Sequence, residues 1–213
     1  MNLEKYQQYS RIARGLEKAD LVLKDARIVN VFTEEIIRGD IAIQDGIIAG
    51  IGSFHGKEER DLAGRYVCPG FIDSHLHLES TLVTPAELVT AASRHGTTTF
   101  IVDPHESANV SGLAGIDYIL DQTEDVKANV YVMMPSCVPA TAIDDNGCTL
   151  TAEDMVPYLH NSRILGLGEV MDSISVVQGE KSMHDKLELF EGRIRDGHAP
   201  FLEEGDLQAY AMA

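Results

Sequence analysis

Cysteine is scarce in this sequence, basic residues are outnumbered, and no long apolar run occurs. Each shortage removes a class of protein. Only Cys68, Cys137 and Cys148 are present among 213 residues. An odd, sparse set is no disulfide framework, and none of the three stands in a CxxC pair that could hold zinc. They are expected to be buried, reduced thiols. Lys and Arg number 17 against 34 Asp and Glu, for a net charge of −17. Nucleic acid and anionic membrane surfaces both demand a basic footprint, so neither is expected as a partner. No stretch approaches the roughly 20 apolar residues that cross a bilayer. The opening MNLEKYQQYSRIARGLEKADL has no apolar core of signal-peptide length, so a cytoplasmic protein is expected.

What is present is ordinary globular material, 44% hydrophobic and 24% charged, enough for one large domain or two smaller ones. Residues 2–18 read as an amphipathic helix with Leu3, Tyr6, Ile12 and Leu16 toward one side. The runs ADLVLKDARIVNVF and EIIRGDIAIQDGIIAGIG follow, with Asp45-Gly46 as a hairpin turn signal. Residues 20–68 are expected to form a small antiparallel sheet. A first domain of residues 1–68, helix plus a small β-sandwich portion, and a second of residues 69–213 are therefore expected.

After Pro69-Gly70 strands and helices alternate. Strands are expected at 71–77, 97–104, 128–136, 163–170 and 192–199, and helices at 84–96, 111–126, 151–162 and 182–191. Thr84, Pro85 and Glu87 form a helix start, Gly96 a stop, and Pro157 is expected to shorten its helix. Such alternation means parallel βαβ units. The first βα turn lacks GxGxxG, which argues against a dinucleotide-binding sheet. His, Asp and Glu at strand ends suit a barrel with its chemistry at the C-terminal face. The fold class is α/β, a partial (β/α)8 TIM-like barrel of about five units. Five of eight strands leave an open edge, and DLQAYAMA starts a helix with no stop signal, so a C-terminal portion is expected to be missing.

The chemistry-bearing residues recur at those strand ends. His75 and His77 are two apart in a strand, so both imidazoles face one way, and Glu79 shares that parity if the strand runs on. An isolated HxH is equally a pair of surface or core histidines. Asp103, His105 and Glu106 stand at the end of the second strand, either as a solvated turn or as groups that contact the substrate or support the metal ligands. Glu169 closes the apolar strand LGLGEV, where a buried carboxylate must be paired or bind metal and can bridge two ions. His198 ends the fifth strand. His75, His77, Glu169 and His198 together make a nitrogen and carboxylate set suited to Zn, Mn or Fe(II), and to metal-assisted hydrolysis.

PGFIDSHLHLESTLVTPAEL (69–88), HGTTTFIVDPHESANVSGLAGIDYIL (95–120), MMPSCVPAT (133–141), LGLGEVMD (165–172) and DGHAP (196–200) occur in order. This run of motifs resembles the adenine deaminases of the amidohydrolase superfamily over nearly the whole chain. The resemblance implies hydrolysis of adenine to hypoxanthine and ammonia in purine salvage, at a binuclear centre supported by Mn2+ or Fe2+. It further implies His75 and His77 on one ion, Glu169 as bridge and His198 on the second. The family's later histidine and its general-base aspartate fall beyond Ala213, and a homo-oligomer is expected at full length. Other readings are a dihydroorotase- or dipeptidase-like cyclic-amide hydrolase, against which the ESTL and DPHE segments count, and an inactive truncated interaction module.

Overall fold

A computed structural model describes residues 1–141 and 143–213. The chain folds as two compact units, Met1–Pro69 and Gly70–Ala213.

The first unit holds α1 (Leu3–Ala13), β1 (Ala19–Asn30), β2 (Glu35–Gln44), β3 (Ile47–Gly52), β4 (Gly56–Asp61) and β5 (Tyr66–Val67). The helix stops well short of residue 18. Leu16 N–H bonds to Arg11 O and Gly15 N–H to Ile12 O, with Gly15 left-handed, a Schellman ending. Only Ile12 of the expected apolar side reaches the core; Leu3, Tyr6 and Leu16 are exposed. The sheet is mixed rather than antiparallel. β1, β2 and β3 pair antiparallel, but β4 and β5 run parallel to β1. The β2–β3 hairpin turns through Asp45 and Gly46, both at positive φ as a type I′ turn requires. Ile12, Ala19, Val22, Ala42 and Phe54 form one buried cluster, and Ala26, Ile28 and Ile41 a second.

The second unit holds β6 (Phe71–Leu76), α2 (Pro85–Ser93), β7 (Thr97–Val102), α3 (His105–Ser111), α4 (Leu113–Gln122), β8 (Asn129–Pro135), α5 (Ala152–Met155), β9 (Ile164–Val170), α6 (Ser173–Gln178), α7 (Lys181–Leu189), β10 (Ile194–Gly197) and α8 (Glu204–Met212). Its strands are all parallel, in the order β10-β9-β8-β7-β6. Each new strand joins beside its predecessor, always in the same direction. A doubly wound sheet would reverse direction partway. This is the winding of a (β/α)8 barrel, of which five units are present. Phe100, Val102, Ile116, Ile119, Val132 and Met134 lie in the core that joins sheet to helices. Among the described residues β6 pairs only with β7 and β10 only with β9, so both edges are open.

Three helices depart from expectation. The helix expected at 111–126 begins earlier, at His105, and is broken by Gly112 at φ +61°. A Cβ at Gly112 would also meet Cys148 Sγ at 2.6 Å. The helix expected at 151–162 is α only over Ala152–Met155 and then tightens to a 3₁₀ turn over Val156–His160, because Pro157 lacks the N–H an α-helix needs. Helix α6 lies outside the helices expected from the sequence; Asp172 caps it by accepting from Ser175 N–H. The cysteines also differ: Cys137 is buried, but Cys148 is only partly so and Cys68 is exposed.

Candidate metal centre

The strand-end residues meet around one carboxylate. Glu169, near the end of β9, is 6% exposed. Its Oε1 lies 2.8 Å from His198 Nε2, 3.1 Å from His75 Nε2 and 3.5 Å from His77 Nε2. Its Oε2 lies 3.0 Å from His105 Nδ1. His75 belongs to β6 and His198 follows β10, the two opposite edges of the sheet. Four strand spacings in a flat sheet would separate those edges by about 19 Å. The imidazole centroids are 6.0 Å apart. The sheet is therefore strongly curled, as barrel closure demands.

Asp103 and His105 are not a solvated turn. Asp103 is 1% exposed and His105 6%. They flank the start of α3, whose N-cap position is Pro104 and offers no side-chain acceptor. Glu79 supplies one instead, accepting from Ser107 N–H at 3.1 Å. Glu79 does so from a 3₁₀ turn (Glu79–Thr81), because β6 ends at Leu76 and the strand parity expected to extend to it is lost. Glu106 Oε2 lies 3.1 Å from His77 Nδ1, and its Oε1 accepts from Ser80 Oγ at 3.2 Å.

The electrostatics are those of a site built for positive charge. Glu169 is held well below the usual carboxylate range, foremost by His105 and then by His198, against the cost of burial. Burial works against a charged His105, yet Asp103 and Glu169 outweigh it and raise it to about 9. Burial pushes Asp103 upward. Burial likewise opposes charge on His77, and Glu106 and Glu169 overcome it.

A metal fits this cluster. His105 Nδ1 contacts Asp103 Oδ1, but not along a hydrogen-bond axis. Both oxygens of Asp103 and both nitrogens of His105 are buried without a hydrogen-bond partner. Buried ionisable groups left so are costly unless they are paired or bind a cation. His75, His77 and Glu169 can offer one ligand atom each within 4.8 Å of one another, as can Asp103, His105 and Glu169. All donors are imidazole or carboxylate, which suits first-row divalent ions.

All eight residues singled out from the sequence lie at this centre. Three that sequence reasoning passed over also shape it. Gly168 leaves room for Asp103, since a Cβ there would collide with Asp103 Oδ2. Ser136 and Asp196 bond to the backbone of Glu169. Glu169 itself sits at φ +44°, a conformation that costs a side-chain-bearing residue about 1–3 kcal/mol. A cleft of about 610 Å³ opens beside the cluster, lined by His77, His105, Glu106, Cys137, Glu169 and Met171 among others.

The sequence profile described as "Amidohydrolase family" matches residues 66–209. An adenine deaminase of Desulfitobacterium hafniense (strain Y51) is 57% identical over 213 residues, which cover 100% of this chain and 37% of the relative. "Adenine deaminase 2" of Carboxydothermus hydrogenoformans is 48% identical over 95% of this chain and 35% of its own length. The adenine deaminase of Clostridium acetobutylicum is 48% identical over 94% of this chain and 36% of its own length. The chain spans little more than a third of the length of these relatives. A crystal structure of N-acyl-D-glutamate deacylase from Bordetella bronchiseptica, complexed with zinc and a phosphonate inhibitor, matches with a TM-score of 0.49 and 20% identity, over 71% of this chain and 38% of that one. With the profile running through every strand that brings a histidine or carboxylate to Glu169, the chain belongs to the amidohydrolase family.

Proposed function

We propose that the protein to which this chain belongs is a metal-dependent adenine deaminase, converting adenine and water to hypoxanthine and ammonia. The observation that carries the chemistry is the gathering of His75, His77, His105 and His198 on the two oxygens of one buried carboxylate, Glu169. In this reading His75 and His77 hold one divalent ion, Glu169 bridges, and His198 holds the second. Mn2+ or Fe2+ is the expected pair, with Zn2+ compatible with the same donors. Such ions supply Lewis-acid activation of water near neutral pH.

The chain's own residues do the rest. Glu106 Oε2 stands 3.1 Å from His77 Nδ1, on the side from which carboxylates commonly support metal-binding histidines. His105 Nδ1 lies between Asp103 Oδ1 and the second oxygen of Glu169. The cleft is within the size range of small-molecule sites.

The cleft's lining also bears on the substrate. Glu106, Asp144 and Asp145 stand in its wall, and no Lys or Arg does among the described residues. Adenine is neutral and rich in N–H donors, which acceptors of this kind satisfy. The relatives' names point the same way. A cytoplasmic role in purine salvage and a homo-oligomeric state go with this reading.

The test is incubation of the protein, at the full length of its relatives and loaded with Mn2+, with adenine. Hypoxanthine and ammonia should appear in equal amounts. No reaction with adenine, together with turnover of a cyclic amide, would refute the substrate assignment.

A further inference from the structure

Glu169 is aimed by its backbone, and its backbone is held by two side chains. Between β9 and β10 the register slips: Arg195 pairs with Leu167 and Gly197 with Val170. Gly168 and Glu169 therefore face the single residue Asp196. This is a β-bulge, a device that re-aims a side chain at the cost of ladder hydrogen bonds. The bulged Glu169 is left-handed, at φ +44°. Its N–H donates to Asp196 Oδ1 at 2.8 Å, and its carbonyl accepts from Ser136 Oγ at 2.9 Å. Ser136 is fully buried, and its own carbonyl accepts from Lys186 Nζ at 2.6 Å. Both backbone groups displaced from the ladder thus find side-chain partners, Asp196 in β10 and Ser136 just after β8.

The first unit repeats the arrangement. In β1 and β2, Leu23 pairs with Ile41 and Ala26 with Gly39, so Lys24 and Asp25 face the single residue Asp40. Asp25 is left-handed at φ +50°, and its N–H donates to Asp40 Oδ1 at 3.1 Å. This second bulge lies in an antiparallel pair and outside the Glu169 cluster, yet the aspartate opposite it again accepts from the left-handed residue's N–H.

From these observations we propose that Asp196 and Ser136 are positioning residues that lock Glu169 in its left-handed conformation and so set its carboxylate for metal. The inference rests on the reading of Glu169 as a ligand. Asp196 acts through its acceptor oxygen rather than its charge, so an amide should replace it and a methyl should not.

The experiment is Mn2+ titration of the protein, at its relatives' full length, with metal content per chain and the thermal midpoint of the metal-free form measured in parallel. The metal-free midpoint separates a loss of fold from a loss of metal affinity. Asp196→Ala should weaken Mn2+ binding by roughly 10- to 100-fold, as removal of groups that orient ligands commonly does. Asp196→Asn, whose Oδ1 can still accept the Glu169 N–H, should bind nearly as the wild type does. Ser136→Ala should weaken binding in the same direction as Asp196→Ala. Wild-type affinity in Asp196→Ala would overturn the proposal, and so would Asp196→Asn failing as badly as Asp196→Ala, which would mark the charge as the active feature. Should Asp196→Ala not fold, Ser136→Ala decides alone, and wild-type affinity there overturns it. Failure of the wild-type protein to bind Mn2+ would instead refute the metal reading itself.

Discussion

Gly168 has no side chain where Asp103 needs space: a Cβ at residue 168 would run into Asp103 Oδ2 and lie 2.7 Å from Met133 Cβ. The glycine on β9 thus admits a carboxylate from the end of β7, across the intervening strand β8. A glycine in a strand interior weakens it, so the position is explained by this close approach and not by strand stability.

Gly168→Ala should consequently push Asp103 out of the cluster. Overpacking of this kind costs about 1–3 kcal/mol. The variant should melt earlier and hold less metal than the wild type. Unchanged melting and unchanged metal content would show that Asp103 has room to move, contrary to the packing found.

Chelation should cost stability because the centre is poorly satisfied without a cation. Asp103 and His105 are buried with no hydrogen-bond partner, and an ion binds only the folded arrangement. At a free metal concentration 100 times Kd the gain is about 2.7 kcal/mol. For a chain of this size that corresponds to a melting shift of roughly 5–10 °C. Calorimetry before and after a chelator, then after adding Mn2+ back, measures it. A midpoint indifferent to both additions would argue that the donors are satisfied among themselves.

Glu169→Gln tests the centre's main acceptor. The amide keeps the shape but removes the charge that faces His75, His77, His105 and His198. Mn2+ affinity should fall by more than the roughly 10- to 100-fold loss typical of a supporting residue. Deaminase activity, if the proposed function holds, should fall with it. A glutamine variant with full metal content would remove Glu169 from the ligand set.

Much of this was legible in the sequence. The alternation of strands and helices gave the barrel winding, and His75, His77, Glu169 and His198 stood out because they end successive strands. What escaped was whatever depends on neighbours distant in sequence. Ser136 and Asp196 look like ordinary turn residues until the β9 bulge places the Glu169 backbone between them. Asp103 and His105 were ambiguous because Asp-Pro commonly begins a solvated turn; here Pro104 instead opens a helix whose first residue, His105, points into the centre. The N-terminal helix was overestimated because Leu3, Tyr6 and Leu16 have helical spacing but no surface to pack on within their unit.

Asp40 offers a test in the first unit, far from any histidine cluster in its own sheet. Burial acts to raise its pKa, but Lys24, with the Phe54 and Asp25 N–H groups, outweighs it and holds Asp40 below the usual range. Lys24 Nζ lies 2.5 Å away and the two N–H donors 3.1 Å away. A depressed carboxylate contributes stability that is fully present above its unfolded pKa, about 3.9, and is lost as the pH falls through its lower folded value. Asp40→Asn should therefore cost about 1–2 kcal/mol at neutral pH, the lower part of the range for charged hydrogen bonds because Lys24 is partly exposed. The gap between wild type and variant should hold from pH 7 to about pH 5, begin to shrink near pH 4, and close as the pH falls through the lower folded value. Urea unfolding followed across that range measures it. A gap that persisted at low pH would mean that Asp40 stabilises through packing, and the charge-assisted bonds to the β1 bulge would then contribute little.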